Sequence, residues 1–146
     1  STGVKFEIES QTDENSNNYY RELGAKVFGK GSHAYNVAFS QGTDPSFCEH
    51  YDLFKNTTDG VFVDKLSRVV LFDTDDRFNS GTGWLSFYKS VGESTIEKED
   101  ISYGMRRVEV IAKKSGIHLG HVFDELGRRR FCINATVLDF IPRDEK

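Results

Sequence analysis

Only two cysteines occur in the sequence, Cys48 and Cys132, and they stand far apart. They form no Cys-x-x-Cys pair, which excludes a local zinc or thioredoxin-type motif, and two thiols make no disulfide framework. No apolar run approaches the roughly 20 residues of a membrane-spanning helix. The net charge of −4 lacks the overall attraction to phosphate that nucleic-acid binding requires. What remains is an ordinary globular chain of 146 residues, the size of about one domain.

Aromatic residues are what the sequence has in quantity, with 12 Phe and 6 Tyr, and its 37% hydrophobic content is enough for a packed core. From Gly60 onward, short runs rich in aromatic and β-branched residues are separated by turn residues. These runs cover residues 61–63, 69–72, 84–88, 105–111, 118–123 and 130–140. Because no long helix lies between them, they predict a mainly β fold built of antiparallel sheets.

The amino-terminal part has a different pattern. Residues 1–18 are polar and rich in Ser, Asn and Asp, which predicts a flexible tail, and residues 19–146 are expected to form a single domain. Within 19–28, apolar residues recur four apart and predict a short helix. Residues 32–47 predict a second, weaker helical or irregular segment that ends before Pro45.

Cys132 is the candidate nucleophile because of its neighbours. Arg130, Cys132 and Asn134 are two residues apart in turn, so in a strand all three lie on one face. A buried cysteine in a strand is more often a small hydrophobic residue, but Arg and Asn beside it are poor material for a core. A cation near a thiol favours the nucleophilic thiolate. The pattern therefore predicts an ionised Cys132.

Two histidines, His118 and His121, lie upstream of this cysteine. Three residues apart, they would point to opposite faces of a regular strand, and a turn at Gly120 could bring them together. Structural histidines are the common alternative. Metal binding is disfavoured, since the two histidines and one cysteine lack a fourth ligand at useful spacing.

Trp84, the single tryptophan, follows a Gly-Thr-Gly turn. The glycines do not have the spacing of a phosphate-binding loop, so nucleotide binding is unsupported. Trp84 is either a core residue or an aromatic wall suited to a small apolar group such as a methyl.

Five motifs in this order resemble the methionine-R-sulfoxide reductases of B type. They are Gly-Thr-Gly-Trp-Leu-Ser-Phe, Arg-Arg-Val-Glu, His-Leu-Gly-His-Val-Phe, Arg-Phe-Cys-Ile-Asn-Ala and Phe-Ile-Pro. The weaker segments Tyr-Asn-Val and Gly-Thr-Asp-Pro-Ser-Phe nearer the amino terminus also fit. The resemblance covers about residues 32–142. Any one motif is weak evidence, but five in register are specific.

This resemblance implies an oxidoreductase that reduces methionine-R-sulfoxide, free or in proteins, on two small antiparallel sheets with helices at the amino-terminal end. Cys132 would attack and become a sulfenic acid, which a second thiol can convert to a disulfide. The implied catalytic residues are Cys132, His118, His121, Asn134 and Arg130. The imidazoles and Asn134 would surround the sulfoxide oxygen, and Arg130 would hold the thiolate. Trp84 and Phe123 would bind the substrate, with Trp84 against its methyl group.

The chain departs from the common pattern of this family at the resolving cysteine. Many relatives carry it in the Gly-x-Gly-Trp run, where this sequence has Thr82. Cys48 is the remaining candidate, and a Cys48–Cys132 disulfide would then be reduced by a thioredoxin-type partner. The alternative is that Cys48 is incidental and the sulfenic acid is reduced directly.

A second departure concerns zinc. Many relatives hold a structural zinc with four cysteines, and the matching positions here are Asp64, Ser67, Ala112 and Ser115. All four thiols are missing together, which predicts a metal-free branch without a cofactor. In addition, Leu85 replaces the usual proline after the tryptophan, and the loop over residues 124–129 is shorter than usual.

Two other functions compete with the reductase. One is a non-catalytic module that binds methionine or its sulfoxide on a partner, and the other is a cysteine hydrolase. The complete set of reactive side chains argues against a pure binder. The expected partners are methionine-R-sulfoxide and a thioredoxin-type reductant, with no nucleic acid or membrane, and a monomer is expected. The expected compartment is the cytoplasm, with an organelle left open.

Overall fold

The computed structural model describes residues 18–102, 104–125 and 127–143. Residues 18–24 form helix α1, which widens into a single π-helical turn at Ala25–Gly29. The short helix predicted over residues 19–28 is thus present. Of the predicted tail, residues 1–17 lie outside the described residues. No helix in the described part of the chain is long and apolar enough to cross a bilayer.

Two more helices precede the sheets. Helix α2 spans His33–Ser40 and begins where the Ser32 hydroxyl accepts a hydrogen bond from the Tyr35 N–H. It ends at Gln41, which takes the left-handed conformation. The helical segment predicted over residues 32–47 is therefore shorter than expected. A six-residue helix that the sequence did not suggest, α3 at Glu49–Phe54, follows it.

Nine strands form in the described residues, and all of their pairings are antiparallel. They are β1 Gly60–Asp64, β2 Val70–Asp73, β3 Arg77–Phe78, β4 Leu85–Phe87, β5 Thr95–Ser102, β6 Met105–Ala112, β7 His118–Glu125, β8 Arg128–Ile133 and β9 Leu138–Pro142. One sheet has the order β2-β1-β9, and the other has the order β3-β4-β8-β7-β6-β5. The predicted mainly β fold of two antiparallel sheets with helices at the amino-terminal end is confirmed.

The single strand predicted over residues 130–140 is wrong. The segment is divided into β8 and β9, which belong to different sheets, by a 3-10 turn at Ala135–Val137. The buried carboxylate of Asp44 accepts hydrogen bonds from the N–H groups of Ala135 and Thr136 at the start of this turn. Because the partner lies 91 residues away in sequence from Ala135, local patterning could not reveal the break.

Strand β5 was missed for a different reason. It is the outermost strand of the six-stranded sheet, and most of its residues are exposed or only partly buried. An edge strand with charged residues along it lacks the apolar signal on which strand prediction relies.

The core lies where aromatic side chains of the two sheets meet. Phe62 and Phe72 come from the three-stranded sheet and Phe87 from the six-stranded sheet, and all three are fully buried. The rings of Phe72 and Phe87 stack with centroids 4.5 Å apart, and Phe62 meets Phe87 edge-on at 5.6 Å. Such pairs contribute beyond their buried area, by about 1 kcal/mol each. The core is aromatic, as the composition suggested.

A bulge in β7 decides where its histidines point. Val110 pairs with Gly120 but Ile111 pairs with His118, so Leu119 is an extra residue. The extra residue shifts the alternation by one and places His118 on the same face as His121. The two rings lie 5.5 Å apart. A bulge one residue earlier, not the predicted turn at Gly120, brings them together.

Gly120 has its own reason to be glycine. A Cβ atom added there would overlap the backbone carbonyl oxygen of Cys132 on the paired strand. The absence of a side chain therefore lets β7 and β8 approach closely beside the candidate nucleophile.

A buried hydrogen bond joins the end of β1 to the turn between β6 and β7. The Asp64 carboxylate accepts from the Ser115 hydroxyl at 2.5 Å and from the N–H groups of Leu66 and Ser67 at 2.8 and 3.2 Å. Asp64 and Ser115 are almost completely buried. These contacts satisfy the carboxylate, which would otherwise be costly to bury.

Candidate active site

A cavity of about 210 Å³ lies against the centre of the six-stranded sheet. Six of the eight predicted site residues line it, and these are Cys132, His121, Asn134, Arg130, Trp84 and Phe123. The other two predicted residues, His118 and Cys48, do not. Thr82, where the resemblance described above would place the resolving cysteine of many family members, also lines the cavity. A thiol there would share the cavity with Cys132, whereas Cys48 is outside it.

Cys132 is placed by strand register. It lies on β8 directly opposite His121 of β7 and directly opposite Ser86 of β4. Side chains of directly opposed residues in antiparallel strands have Cβ atoms about 5 Å apart on the same face. The imidazole of His121 is therefore the immediate neighbour of the Cys132 thiol.

The electrostatics of Cys132 differ from the sequence-based expectation. Burial in the cavity raises the pKa of the Cys132 thiol, and this outweighs the lowering effect of Arg130. Arg130 is itself paired with Glu125 at 2.7 Å, and the charge of Glu125 raises the pKa of Cys132 further. In the free protein, burial therefore favours the protonated thiol over the predicted thiolate, against the opposing effect of Arg130.

Arg130 has a second contact that fixes its position. Its guanidinium lies 4.9 Å from the ring centroid of Phe123, the residue directly opposite it on β7. The cation–π contact and the ion pair together hold the side chain in place at the cavity wall. Arg130 thus shapes the cavity around Cys132 as well as contributing charge.

His121 is held by a carboxylate from the edge of the sheet. Its Nε2 lies 2.8 Å from Oδ2 of Asp100 on β5, and both side chains are only about one-eighth exposed. The His121 hydrogen bond is the main cause that holds the pKa of Asp100 below its usual range. Asp100 was not among the predicted site residues, because its strand was not recognised.

His118 lies behind the site rather than in the cavity. It is 3% exposed, and its Nδ1 lies 2.6 Å from Oε2 of Glu109. Burial lowers the pKa of His118 more than the carboxylate raises it, so the ring is neutral at physiological pH. Glu109 also accepts from the Gln41 side chain at 2.9 Å. Through Glu109, His118 therefore links the sheet to the segment after α2, while its buried Nε2 has no hydrogen-bond partner among the described residues.

Asn134 connects the cavity to two backbone segments. Its Oδ1 accepts from the Asp44 N–H at 2.8 Å, and its Nδ2 donates to the Leu119 carbonyl at 3.0 Å. An amide nitrogen carries two hydrogens, so one N–H remains without a partner among the described residues. The side chain lines the cavity and is positioned to offer this N–H to a bound oxygen.

Asp44 organises the site, although it was not among the site residues predicted from the sequence. Its carboxylate is 1% exposed and accepts from the Ala135 N–H at 2.8 Å and the Thr136 hydroxyl at 2.7 Å, with His33 Nε2 2.8 Å away. Its backbone carbonyl accepts from the Trp84 indole N–H at 2.8 Å. One residue thus positions both the turn that follows β8 and the aromatic wall of the cavity. Its place in the Gly-Thr-Asp-Pro segment was the one available signal.

The segment after Asp44 is fastened to the loop that carries Trp84. The Phe47 N–H donates to the Gly83 carbonyl at 2.8 Å. Gly83 has φ +87°, and a Cβ there would collide with Phe47. Glycine is therefore required at this contact, which holds the two loops together beside the cavity.

Cys48 lies next to this network. Both cysteines are free thiols, and Cys48 Sγ lies 3.8 Å from Oδ2 of Asp44. The same oxygen accepts from the Ala135 N–H, three residues beyond Cys132. Burial is the main cause that raises the pKa of Cys48, with the Asp44 charge adding to it. Cys48 is close to the strand end that follows Cys132, but it must leave its contact with Asp44 to enter the cavity.

Comparison with known proteins agrees with this geometry. The family model described as the SelR domain matches residues 31–142, which is most of the chain and includes every residue that lines the cavity. The chain therefore belongs to the SelR-domain family, the methionine-R-sulfoxide reductases of B type, and is an oxidoreductase that acts on methionine-R-sulfoxide.

Proposed function

We propose that Cys132 reduces methionine-R-sulfoxide by direct attack on the sulfoxide sulfur. The observation that supports this most strongly is the register that sets Cys132 opposite His121 at the wall of the cavity. In the reaction the sulfoxide oxygen ends on the Cys132 sulfur as a sulfenic acid. The substrate sulfur gains two electrons, the cysteine sulfur loses two, and methionine is released.

The protons of this step balance within the site. A sulfoxide oxygen leaves only when it is protonated, so an acid must lie near it. The thiol proton of Cys132 passes to the oxygen through His121, because a ring nitrogen of imidazole can accept a proton and then donate it. A thiol with a raised pKa therefore keeps its proton until a substrate arrives to receive it. No further proton source is needed for the reductive step.

The walls of the cavity fit the two ends of the sulfoxide group. Trp84 and Phe123 offer aromatic faces for the methyl group, and Asn134 offers an N–H for the oxygen. Because the indole of Trp84 is tied to Asp44, the apolar wall is fixed before substrate binds. A fixed wall on one side and a polar group on the other favour one of the two sulfoxide configurations.

Regeneration of the enzyme would use Cys48. Its thiol condenses with the Cys132 sulfenic acid to form a disulfide and water, and a thioredoxin-type dithiol then reduces that disulfide. The segment after Asp44 must move for this to occur. Direct reduction of the sulfenic acid is the alternative, and the Cys48→Ser variant separates the two. The non-catalytic binder and the cysteine hydrolase are disfavoured by membership of a reductase family.

We also propose that no zinc binds at the four positions where relatives carry cysteines. Ala112 offers no side-chain ligand. The Asp64 carboxylate already accepts three hydrogen bonds, from the N–H groups of Leu66 and Ser67 and from the Ser115 hydroxyl. This donor set does not suit the tetrahedral sulfur and nitrogen sites that zinc prefers. The Asp64–Ser115 hydrogen bond would hold together the segments that the metal joins in relatives.

Stereospecific turnover tests the main proposal. With enzyme in excess and no reductant, the R-sulfoxide of N-acetylmethionine should be consumed and the S-sulfoxide should not, as measured by chiral chromatography. Cys132→Ser should remove the reaction, because a hydroxyl is a far weaker nucleophile and cannot form a sulfenic acid. Single-turnover release of methionine by the Cys132→Ser protein would contradict the assignment.

The Cys48→Ser variant tests regeneration. It should release one equivalent of methionine at the rate of the unaltered protein, because Cys48 lies outside the cavity. With thioredoxin and its reductase, its steady-state rate should fall at least tenfold. Mass spectrometry after substrate alone should find a disulfide in the unaltered protein and a trapped sulfenic acid in the variant. Unchanged steady-state turnover would exclude Cys48 from the cycle.

The pH dependence of thiol alkylation tests the environment of Cys132. Iodoacetamide reacts with the thiolate, so with a raised pKa the rate for Cys132 should be low at pH 7 and should climb above pH 9, roughly the unperturbed range of a thiol. The measurement uses the Cys48→Ser protein. Glu125→Gln should move the curve to lower pH, since Glu125 raises the pKa of Cys132. Arg130→Met should move it to higher pH.

Glu99→Gln is the control for this experiment, because it removes an exposed carboxylate from the same sheet. A curve for the Cys48→Ser protein that reaches half its maximum below pH 8 would contradict the buried, protonated thiol. Identical curves for Glu125→Gln and Glu99→Gln would show that the charge of Glu125 does not influence the pKa of Cys132.

The zinc proposal makes a stability prediction. Ser115→Ala leaves one lone-pair site of the buried Asp64 carboxylate unsatisfied and should lower the free energy of unfolding in urea by about 2 kcal/mol. Ser67→Ala, which loses one 3.3 Å contact from the Val69 N–H, should cost much less. A metal chelator should leave the melting temperature of the unaltered protein unchanged. One zinc per chain by elemental analysis would overturn the proposal.

A further inference from the structure

We propose that Asp100 is a positioning residue, which fixes the tautomer of His121 and stabilises its protonated form during sulfoxide reduction. The inference rests on the role of His121 proposed above. It concerns a residue outside the five motifs on which the family resemblance was recognised. The geometry that carries it is the hydrogen bond from the edge strand to the imidazole beside Cys132.

Strand register explains how Asp100 reaches His121. Asp100 on β5 is directly opposite Arg107 on β6, and His121 on β7 is one diagonal step further along the same face. The carboxylate crosses above β6 to place Oδ2 at 2.8 Å from His121 Nε2 and at 3.4 Å from an Arg107 nitrogen. Ser102 accepts from the same Arg107 nitrogen at 3.1 Å. Arg107 thus fixes Asp100 from the opposite side.

The chemistry of the contact determines which nitrogen of His121 is reactive. An ionised carboxylate can only accept hydrogen bonds, so the Nε2 atom that faces Asp100 must carry hydrogen. Nδ1 is then the one ring nitrogen that can take a proton from Cys132 and give it to the sulfoxide oxygen. The Asp–His pair of hydrolytic enzymes controls its imidazole by the same physical principle, with the nitrogens exchanged.

The charge of Asp100 has a second effect. When Nδ1 takes the thiol proton, the ring becomes a cation in a site that is largely shielded from water. A carboxylate in hydrogen-bond contact stabilises that cation strongly where screening by solvent is weak. Proton transfer from a thiol with a raised pKa is unfavourable without such help. Asp100 therefore offsets part of the cost of ionising Cys132.

Other charged groups surround His121 and limit this effect without replacing it. The titratable or charged residues that face it from the packed strands are Asp100, Arg107, Glu109, His118, Arg130 and Cys132. Glu109 is engaged by His118 and Gln41, and Glu125 is occupied by Arg130. The positive charge of Arg107 reduces the electrostatic effect of the Asp100 charge on His121. Among the described residues, Asp100 is the carboxylate bonded to His121.

Asp100→Asn removes the negative charge of residue 100 and keeps the size and shape of its side chain. The Asn amide oxygen can still accept from Nε2, so the ring stays in place while the negative charge is lost. The rate of single-turnover methionine release, with enzyme in excess over R-sulfoxide, should fall at least tenfold at pH 8. On the acidic side of the profile a ring already protonated on Nδ1 cannot take the thiol proton, and this fall in rate should move to lower pH by about one unit when the charge of Asp100 is lost. The dissociation constant of the product methionine should change less than threefold.

Glu99→Gln is the matched control. It removes the same charge from the neighbouring residue, which is exposed and pairs with Arg106 at 3.1 Å on the opposite face of the strand. Its rate and pH profile should equal those of the unaltered protein. An Asp100→Asn profile that matches Glu99→Gln would overturn the proposal. So would a lower rate with an unshifted profile, because that outcome indicates a structural role alone.

A measurement on the unaltered protein keeps the test independent of how the variant folds. Long-range ¹H–¹⁵N correlation spectra at pH 8 report the tautomer of each histidine, and comparison with His121→Gln assigns the His121 signals. The proposal requires hydrogen on Nε2, and a neutral ring with hydrogen on Nδ1 would refute it. Absence of R-sulfoxide turnover by the unaltered protein would instead refute the proposed function, while the spectrum still decides the role of Asp100 in fixing the tautomer.

Discussion

The buried carboxylate of Asp44 is the interaction on which the rest of the site depends. The carboxylate accepts hydrogen bonds from the turn between β8 and β9. The backbone carbonyl of Asp44 accepts from Trp84, and its N–H donates to Asn134. A charge this deeply buried is tolerated only because each of its oxygens is hydrogen-bonded. The carboxylate and the backbone of this one residue bond to several segments around the cavity, so Asp44 holds those segments together. The cavity therefore has rigid walls before substrate arrives.

The second constraint is strand register, which converts scattered residues into one chemical surface. Cys132, His121 and Glu109 occupy successive strands in a single row, and the Leu119 bulge adds His118 to the same face. On that face the two histidines differ in how deeply they are buried. His118 is sealed beneath the segment after α2 and stays neutral, whereas His121 borders the cavity and meets Asp100. Two histidines of one motif thus occupy different environments.

Regions of the fold differed in how far the sequence predicted them. Buried strands such as β1 and β7 were recognisable from local apolar runs, because burial on the sheet leaves a periodic signal. Edge strand β5 carries little such signal, and the division between β8 and β9 depends on a carboxylate in a distant loop. In the site, Cys132 and its polar neighbours stand in one motif and were readily found. Asp100 could not be found, and Asp44 could be suspected only from its Gly-Thr-Asp-Pro segment, because ordinary acidic residues show their role only through their partners.

The sequence by itself determined the family, the aromatic core and the residue types available for redox chemistry, since these follow from composition and from motifs of adjacent residues. Only the tertiary structure decided the protonation of Cys132, because the pKa of a thiol reflects the balance of burial, Arg130 and Glu125 in three dimensions. It also decided which histidine borders the cavity. Both outcomes depend on distances between strands, which no local pattern of residues encodes.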